Sequence, residues 1–547
     1  MRITSFLILL LILLPARAHE GDNHAEPSAG PPLILGVLDF PTSGKPEAQE
    51  PFETGVKLLH SFEYEDARAA FLEAQAIDPA FVMAIWGEAM TWNHPLWNEQ
   101  DREQALRVLE KLPPVDRRKA TARENRFIEA VQVLYGEGTK PERDAAYRDT
   151  LAQMHRDHPD DLEIGAFYAL SILGSVYERD FRTYMQAAAV AEEIFAKQPQ
   201  HPGAAHYLIH SYDDQIHAPL GLRAARVYSK IAPAASHAQH MVSHIYTSLG
   251  MWDEVVEANA AAVRVSEEAM ARAGRSRHMR SKHSLHWLEY ALLQQGRTSE
   301  VEATLDIMAE DVAAMPDGQN LRHNAMMRAT FVVEDPLGRS PLTTLPEHQL
   351  PLYFRALDHF ATAWTDIVRG DLAAAGRGLD AIRSQLDSAR VLTVEEGLHE
   401  TPDATSPDDY LLTTIMAREL EALILFREGE QEAALDILEQ AVAEESRRPL
   451  YYGPPHVPKP SDELLGEMLL ELDRPAEAAE RFQQALARHT GRTLSLLGLA
   501  LAQAELNSPA AVETWQRLEA QWRGDPEALR SMRYAWLSGS TAAAAAD

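Results

Sequence analysis

An internal repeat of paired helices is the feature that most constrains this chain. Helix-forming Ala, Leu and Glu dominate the sequence, β-branched runs are scarce, and Gly or Pro recurs every 30–40 residues. His206 and His240 occupy equivalent places in two of these segments and lie 34 residues apart. A hairpin of this length cannot bury its apolar faces alone, so neighbouring hairpins must stack. The sequence therefore predicts an all-α solenoid with a concave inner groove.

The spacing of small and aromatic residues indicates which helical repeat this is. One stretch has Ala67, Phe71, Ala74 and Pro79, and Gly466, Ala478, Phe482 and Ala485 follow the same pattern near the C-terminus. These intervals are those of the tetratricopeptide repeat (TPR), in which the first helix of each hairpin lines the groove. We expect about 9–11 such hairpins in a right-handed superhelix.

The ends of the chain and one internal segment depart from the repeat. Arg2, the nine apolar residues 6–14 and the small-x-small motif 16–18 form an export signal, too short to span a bilayer as a helix. We therefore expect a periplasmic or secreted protein that is cleaved near Ala18. The predicted organisation is a signal peptide (1–18), an extended N-terminal arm (19–50), a first TPR array with the histidine-rich groove (51–333), a loop (334–350), a second TPR array (351–525) and a tail (526–547).

Composition narrows the classes of ligand and partner. Lys and Arg number 51 against 82 Asp and Glu, a net charge of −31, which repels phosphate backbones and anionic membrane surfaces. Nucleic acid is therefore not an expected partner, and no later segment is long and apolar enough to predict a membrane span. The chain has no Cys, so disulfides, thiolate metal sites and cysteine nucleophiles are excluded. A metal could be held only by His, Asp or Glu.

Ten of the 22 histidines lie between residues 201 and 286, in register with the repeat. Three successive first helices carry them at spacings of three, four and seven, which form one stripe on the groove side of a helix. Two imidazoles at i,i+4 can share an ion, and helices about 10 Å apart let adjacent repeats contribute to one site. The predicted metal ligands are His201, His206, His210, His237, His240, His244, His283 and His286.

The predicted donor set is compatible with several transition metals. Four imidazoles, or three with a carboxylate, suit Zn²⁺, and an open coordination position suits Cu²⁺ or Fe²⁺. Asp213 and Asp214 face the groove in the same register and are the candidate general bases or carboxylate ligands. No HExxH motif is present, which excludes a zinc peptidase of that kind. The same histidines are also compatible with a polar groove that hydrogen-bonds a peptide, and with a pH-responsive surface.

Four residues outside the stripe are weaker candidates for the edge of the site. Glu88 and His94 belong to a Trp-rich segment that core packing and a proline stop explain more simply. Tyr290 takes the repeat position that histidines hold in the two preceding first helices, where it could donate a hydrogen bond. His60, taken alone, is an ordinary polar residue of a helix.

Several blocks of the sequence resemble a family of exported bacterial TPR proteins. They are LGVLDFPTSG (35–44), LLHSFEYEDA (58–67), MAIWGEAMTWNHPLW (83–97), HPGAAHYLIHSYDD (201–214), HAQHMVSHIYTSLGMWD (237–253) and YYGPPH (451–456). The resemblance covers nearly the whole chain after the signal. It implies the TPR fold and export but no particular reaction, and it suggests that His60 and residues 92–97 belong to the family's shared pattern.

Three functions are compatible with the sequence. The first is a TPR scaffold whose groove binds a protein or peptide partner and a histidine-bound transition metal. The second is a metal-dependent enzyme, hydrolytic or oxidative, that uses the groove as a cleft. The third is a metal storage or delivery protein. An open coordination position beside a base favours the enzyme, and reversible binding of more than one ion favours delivery.

Overall fold

The part of the chain that the structure describes is almost entirely helical. The computed structural model describes residues 33–114, 119–177, 179–334, 350–393, 404–450 and 452–532, together with Glu396, Leu398 and Thr401. Within these residues the first fourteen helices are α1 (Pro46–His60), α2 (Tyr64–Ile77), α3 (Val82–Met90), α4 (Arg102–Leu109), α5 (Ala122–Leu134), α6 (Lys140–Asp157), α7 (Leu162–Gly174), α8 (Phe181–Lys197), α9 (Pro202–Ser211), α10 (Ala218–Ile231), α11 (Ser236–Ser248), α12 (Trp252–Arg272), α13 (Lys282–Gln294) and α14 (Thr298–Ala314). The remaining ten are α15 (Gly318–Glu334), α16 (Leu352–Arg369), α17 (Leu372–Ser388), α18 (Pro407–Glu428), α19 (Gln431–Ser446), α20 (Ser461–Glu471), α21 (Pro475–Arg488), α22 (Thr493–Glu505), α23 (Ala510–Gln521) and α24 (Pro526–Ser531).

Strands are confined to two local pairs among the described residues. β1 (Asn93–His94) pairs antiparallel with β2 (Glu99–Gln100), and β3 (Arg390–Val391) pairs in parallel with β4 (Ala404–Thr405). Each strand has two residues, so neither pair forms a layer of the fold.

Successive helices pack as hairpins. Eleven pairs can be followed through the described residues, from α1–α2 to α13–α14 and, after the single helix α15, from α16–α17 to α22–α23. The prediction of an all-α, TPR-type solenoid of helical hairpins is confirmed. Helix α15 is an addition that the repeat pattern did not predict.

Local sequence signals explain where these helices begin. Thr121 and Thr139 each accept a backbone N–H with the side-chain hydroxyl, and Glu124 and Glu142 return the bond to the N–H of the capping residue. Many other first turns are capped by an Asp or Ser side chain, or have Pro at the first helical positions.

In seven of the hairpins, one of the two residues directly after the first helix lies in the left-handed region. These residues are Phe62, Gly250, Gly296, Gly370, Gly429, Asp473 and Asn507. Glycine adopts this conformation without strain, and Asn and Asp tolerate it. Phe62, with φ +56°, is the only bulky apolar residue in the set.

The solenoid winds back on itself, so that distant repeats touch. Helix α1 packs against α9, and the turn after α1 lies against α9 and α11. Further along, Trp252 donates its indole N–H to the Gly491 carbonyl over 3.0 Å, and Thr493 donates its backbone N–H to Gln294 Oε1 over 2.8 Å. The inner faces of the first helices are therefore largely covered by other parts of the chain.

Two predicted boundaries differ from the observed ones. Helix α1 begins at Pro46, so the predicted arm (19–50) extended five residues too far, and α24 lies within the predicted tail. Residues 33–45 are neither helix nor strand, yet Val37 donates its N–H to the Gln200 carbonyl over 2.9 Å. The predicted signal peptide and most of the 334–350 loop lie outside the described residues. Among the helices described, none is both long and apolar enough to cross a membrane.

Candidate metal centre

Seven of the predicted ligands lie on the inner faces of three consecutive first helices. Helix α9 carries His206 and His210, α11 carries His237, His240 and His244, and α13 carries His283 and His286. His237 is half-buried and His283 is exposed, whereas the other five are buried. The sequence predicted an open groove at this place. The structure differs because the first repeat folds over the histidines of α9 and over His237.

His206, His210 and His237 form a first histidine group. One ring nitrogen of each lies within 4.8 Å of the others, and the Nε2 atoms of His206 and His210 are 3.1 Å apart. His206 donates its Nδ1–H to the main-chain carbonyl of His60 over 2.7 Å. Because a carbonyl can only accept, this bond fixes the tautomer and leaves the Nε2 lone pair of His206 facing the other two imidazoles.

His240, His244 and His283 form a second histidine group with the same plan. Their nitrogens also lie within 4.8 Å of one another, and the Nε2 atoms of His240 and His244 are 2.9 Å apart. His240 donates its Nδ1–H to Asn259 Oδ1 over 2.7 Å. Asn259 donates its own amide N–H to the Val255 carbonyl over 2.9 Å, which fixes the amide oxygen toward the ring. The Nε2 of His240 is therefore unprotonated, and its lone pair faces His244 Nε2, 2.9 Å away.

Burial keeps these imidazoles uncharged. It lowers the pKa of His206 and of His244 to about 3, and nearby imidazoles or the Arg179 guanidinium add to the effect. The pKa values of His210 and His240 are lowered well below the ordinary value, again mainly by burial. At neutral pH both groups present neutral nitrogen donors, which is the form of imidazole that binds a metal.

In each group the two Nε2 atoms of the i,i+4 pair have the spacing that one ion requires, and a third nitrogen lies within 4.8 Å of them. Bonds of 2.0–2.1 Å at angles between 90° and 109° place two nitrogens about 2.9–3.4 Å apart. The paired Nε2 atoms, at 3.1 and 2.9 Å, fall in this range. Three neutral imidazoles without a carboxylate suit Zn²⁺ or Cu²⁺ better than Mg²⁺, Ca²⁺ or Mn²⁺.

The two histidine groups are neighbours within one site. The ring centroids of His210 and His244 are 5.9 Å apart, and those of His237 and His240 are 6.1 Å apart. The sequence predicted that the histidines of adjacent repeats contribute to one site. The structure gives two groups within that site, because His237, at the start of α11, joins the α9 pair while His240 and His244 join His283 of α13.

A third cluster, His60, Glu163 and His201, is a closed hydrogen-bond network. His201 accepts the Ala204 N–H on Nδ1, so its Nε2 carries the proton and donates to Glu163 over 3.0 Å. His60 donates to the other Glu163 oxygen over 2.9 Å and accepts from the Tyr207 hydroxyl over 2.8 Å. Burial alone would raise the pKa of Glu163, but its two histidine partners outweigh that effect and lower it. With every ring nitrogen occupied, this cluster supports the fold.

Asp213 and Asp214 have separate roles. Asp213 Oδ2 accepts the Nδ1–H of His244 over 2.6 Å, the outer contact that commonly orients a metal-bound imidazole. Burial raises the pKa of Asp213 well above the ordinary value, partly opposed by Arg179. Asp214 instead accepts the backbone N–H groups of Ile216 and His217 and orders the loop before α10.

The remaining candidates lie outside both groups. His286 Nε2 is 3.1 Å from the Thr330 hydroxyl, and the Tyr290 hydroxyl accepts from Arg492 over 3.4 Å. Glu88 forms an ion pair with Lys111 at 2.7 Å. His94 stacks on Tyr64 with ring centroids 4.1 Å apart. Each of these four side chains therefore contacts residues outside the two groups. This includes Tyr290, which was predicted to take the repeat position of His210 and His244.

The sequence missed several residues that shape the site. Trp287 stacks on His244 with centroids 4.4 Å apart, and Tyr452 packs on the same ring at 4.7 Å. Phe62 was detectable, because it stands where later repeats have glycine. Asn259 was also detectable as a polar residue in the Ala-rich stretch of α12. Glu163 carried no signal of its own, because an acidic residue in a helix is ordinarily a surface residue.

Comparisons with known proteins give structural matches of low similarity and no sequence relative. No protein-family model and no curated protein sequence matches this chain. Among solved structures, the human IFIT1 dimer with m7Gppp-AAAA matches at 13% identity over 85% of this chain and 94% of that one, with a TM-score of 0.35. The Cut9–Hcn1 hetero-tetramer of the APC/C matches at 10% identity over 90% and 76%, with a TM-score of 0.33. Yeast Tom70 matches at 10% identity over 86% and 92%, with a TM-score of 0.31. Similarities of this size carry nothing about ligands.

Proposed function

We propose that this protein is an exported TPR scaffold that holds two transition-metal ions, one in each histidine group. One observation carries the proposal. In both groups a ring whose Nδ1–H is fixed by a carbonyl or amide oxygen turns a bare Nε2 toward two further imidazole nitrogens within 4.8 Å. Neutral imidazoles that converge on a point and are oriented by outer hydrogen bonds fit a Zn²⁺ or Cu²⁺ site.

The burial of the groups favours an ion over a peptide among the histidines. His206 and His240 are almost wholly inaccessible, so a peptide could reach them only if the side chains packed over them moved away. A protein or peptide partner, which is the usual ligand of a helical-repeat scaffold, belongs in this proposal on the solenoid surface outside the two groups.

Metal analysis of the untagged protein, purified from a periplasmic extract, tests the proposal. We expect two transition-metal ions per chain, with Zn²⁺, Cu²⁺ or Fe²⁺ identified by the same measurement. The double change His206→Ala plus His210→Ala should remove one ion, and His240→Ala plus His244→Ala should remove the other. Protein without bound transition metal would disprove the proposal.

The control is a pair of histidines outside both groups. His155 is half-buried and His158 is exposed on the surface near the end of α6. Changing both to Ala should leave the metal content at the parental value. A loss of metal in this variant, equal to the loss in the site variants, would mean that the ions are bound nonspecifically by histidine.

A further inference from the structure

Phe62, which covers one side of the first histidine group, has an unusual backbone conformation. Phe62 occupies the left-handed turn position that Gly, Asp or Asn fills in six other hairpins. A bulky side chain there costs about 1–2 kcal/mol. Such strain persists where the surroundings enforce it, often at a functional site.

The Phe62 ring lies directly on the first group. Its centroid is 4.3 Å from that of His206, 5.4 Å from His237 and 5.9 Å from His210. The ring thus contacts all three imidazoles from one side. Asp473 and Asn507, which hold the equivalent position in their turns, have no ring that could pack against a neighbouring side chain.

The residues beside Phe62 fasten the turn to the same helices. The His60 carbonyl accepts from His206 Nδ1 over 2.7 Å, and Glu63 Oε1 accepts the His237 N–H over 2.8 Å. The Ser61 hydroxyl is 3.3 Å from the Tyr228 hydroxyl. Four consecutive residues of the first repeat therefore contact or flank the first group, and these bonds hold the backbone of the turn in place.

The second histidine group also has an aromatic cover but differs in the exposure of its third member. The Trp287 ring centroid lies 4.9 Å from that of His240, 4.4 Å from His244 and 5.6 Å from His283, and Tyr452 packs on His244. Its third member, His283, is exposed, whereas the third member of the first group, His237, is half-buried. A metal-binding atom on an exposed side chain gives solvent and small ligands access to an ion bound there.

We infer that the two groups differ in access: Phe62 closes the first, and the second, through His283, accepts an external ligand. The expected ligand is a small molecule with one donor atom, such as azide or free imidazole, because three protein imidazoles leave a coordination position for it. This inference rests on the proposed function. It adds that the two metal sites differ in role, because the first group retains its ion and the second releases its ion readily.

Chelator-driven metal release tests the inference. With excess EDTA, the parent should lose one ion per chain rapidly and the other slowly. Phe62→Gly removes the ring but suits the left-handed turn, so the turn can keep its backbone conformation. In that variant the slow phase should accelerate about tenfold or more, comparable to the effect of losing an outer partner of a metal ligand. If the Phe62→Gly variant does not fold, the same release is measured on Phe62→Leu, which keeps apolar volume without the ring.

Azide titration of the copper- or cobalt-loaded protein, followed in the visible spectrum, is the second measurement. The parent should bind one azide per chain, and Phe62→Gly should bind two. The matched control is Asn507→Gly, the same backbone change in an exposed turn far along the chain, which should leave both results unchanged.

The outcomes separate the two proposals. If the parent holds two ions that leave at a single rate, or if Phe62→Gly leaves the slow phase and the azide count unchanged, the inference about access is wrong while the metal proposal stands. If the parent holds no ion, the metal proposal itself fails.

Discussion

At the scale of single residues, Asp213 and Asp214 show how adjacent carboxylates come to differ. The Asp213 carboxylate is directed at His244, a member of the second histidine group, over 2.6 Å. The Asp214 carboxylate turns to the backbone of the following loop. Both are fully buried, so neither could be told from the other by accessibility.

Asp213→Asn should weaken one of the two metal sites and leave the other intact. The amide keeps the shape and can still accept the His244 Nδ1–H, but unlike a carboxyl group it cannot ionise when a cation binds the imidazole, so it strengthens the ligand less. We expect a loss of affinity of about 10–100-fold for one ion. Competition with a chromophoric chelator measures it.

Asp214→Asn is the neighbouring control. It changes a carboxylate that caps a loop, so the melting temperature should fall while both metal affinities hold. Equal losses of metal affinity in the two variants would contradict the assignment of Asp213 as the outer partner of His244.

At the scale of elements, the turn between α13 and α14 shows how distant repeats are joined. Arg523 and Gly524, which follow α23, donate their N–H groups to the Gln295 carbonyl over 2.8 and 3.0 Å. Gly296, at φ +65°, lies so close to Trp522 that an added Cβ would overlap the indole ring. The turn is thus part of a contact between the seventh and eleventh hairpins.

Gly296→Ala should destabilise the protein more than Gly274→Ala. Both glycines have a positive φ, +65° and +64°, so both substitutions carry the left-handed strain, about 1–2 kcal/mol. Gly274 has no atom within 4 Å of a new Cβ, whereas Gly296 faces Trp522. Overpacking should add about 1–3 kcal/mol at Gly296. Urea denaturation of the two variants measures the difference, and equal free energies of unfolding would show that the inter-repeat contact is not tight.

The elements themselves were largely predictable from the sequence. The Gly and Pro punctuation and the TPR spacing gave the hairpins, and the register of the histidines placed them on inner helix faces. The grouping was not predictable, because it depends on how far the superhelix closes. A small change of angle per repeat, accumulated over several repeats, decides whether Phe62 meets His206. The periodicity of the helices in the sequence does not give the total angle through which successive repeats turn.

At the scale of the whole molecule, the buried histidines make stability depend on pH. His286 illustrates the sign: burial lowers its pKa to about 3 in the folded chain, against about 6.5 when unfolded. Below pH 6.5 the His286 imidazole is protonated in the unfolded state but not in the folded state. The free energy of unfolding therefore falls as pH decreases toward 3. The stabilisation is therefore complete above pH 6.5.

His286→Gln should flatten this dependence without changing the metal content. Each such histidine contributes up to about 1.4 kcal/mol per pH unit in this range. Urea denaturation of the metal-free protein at pH 7, 6 and 5 gives the slope for parent and variant. We expect the slope of the free energy of unfolding against pH to be smaller in the variant, by the amount that corresponds to about one bound proton. An unchanged slope would contradict the burial of a neutral His286. Loss of a bound metal ion in the variant would show that His286 is a metal ligand.

The contact between the first repeat and the fifth and sixth has an evolutionary consequence. Open solenoids gain and lose repeats easily, because each repeat meets only its neighbours. Here the turn after α1 reaches residues 146 and 174 positions away. Duplication or deletion of any of the three hairpins between, α3 to α8, would carry Phe62 away from His206. The number of hairpins between the first and the fifth is therefore held constant by geometry, and the contacts of Trp252 and Gln295 with residues 491–524 constrain the C-terminal half in the same way.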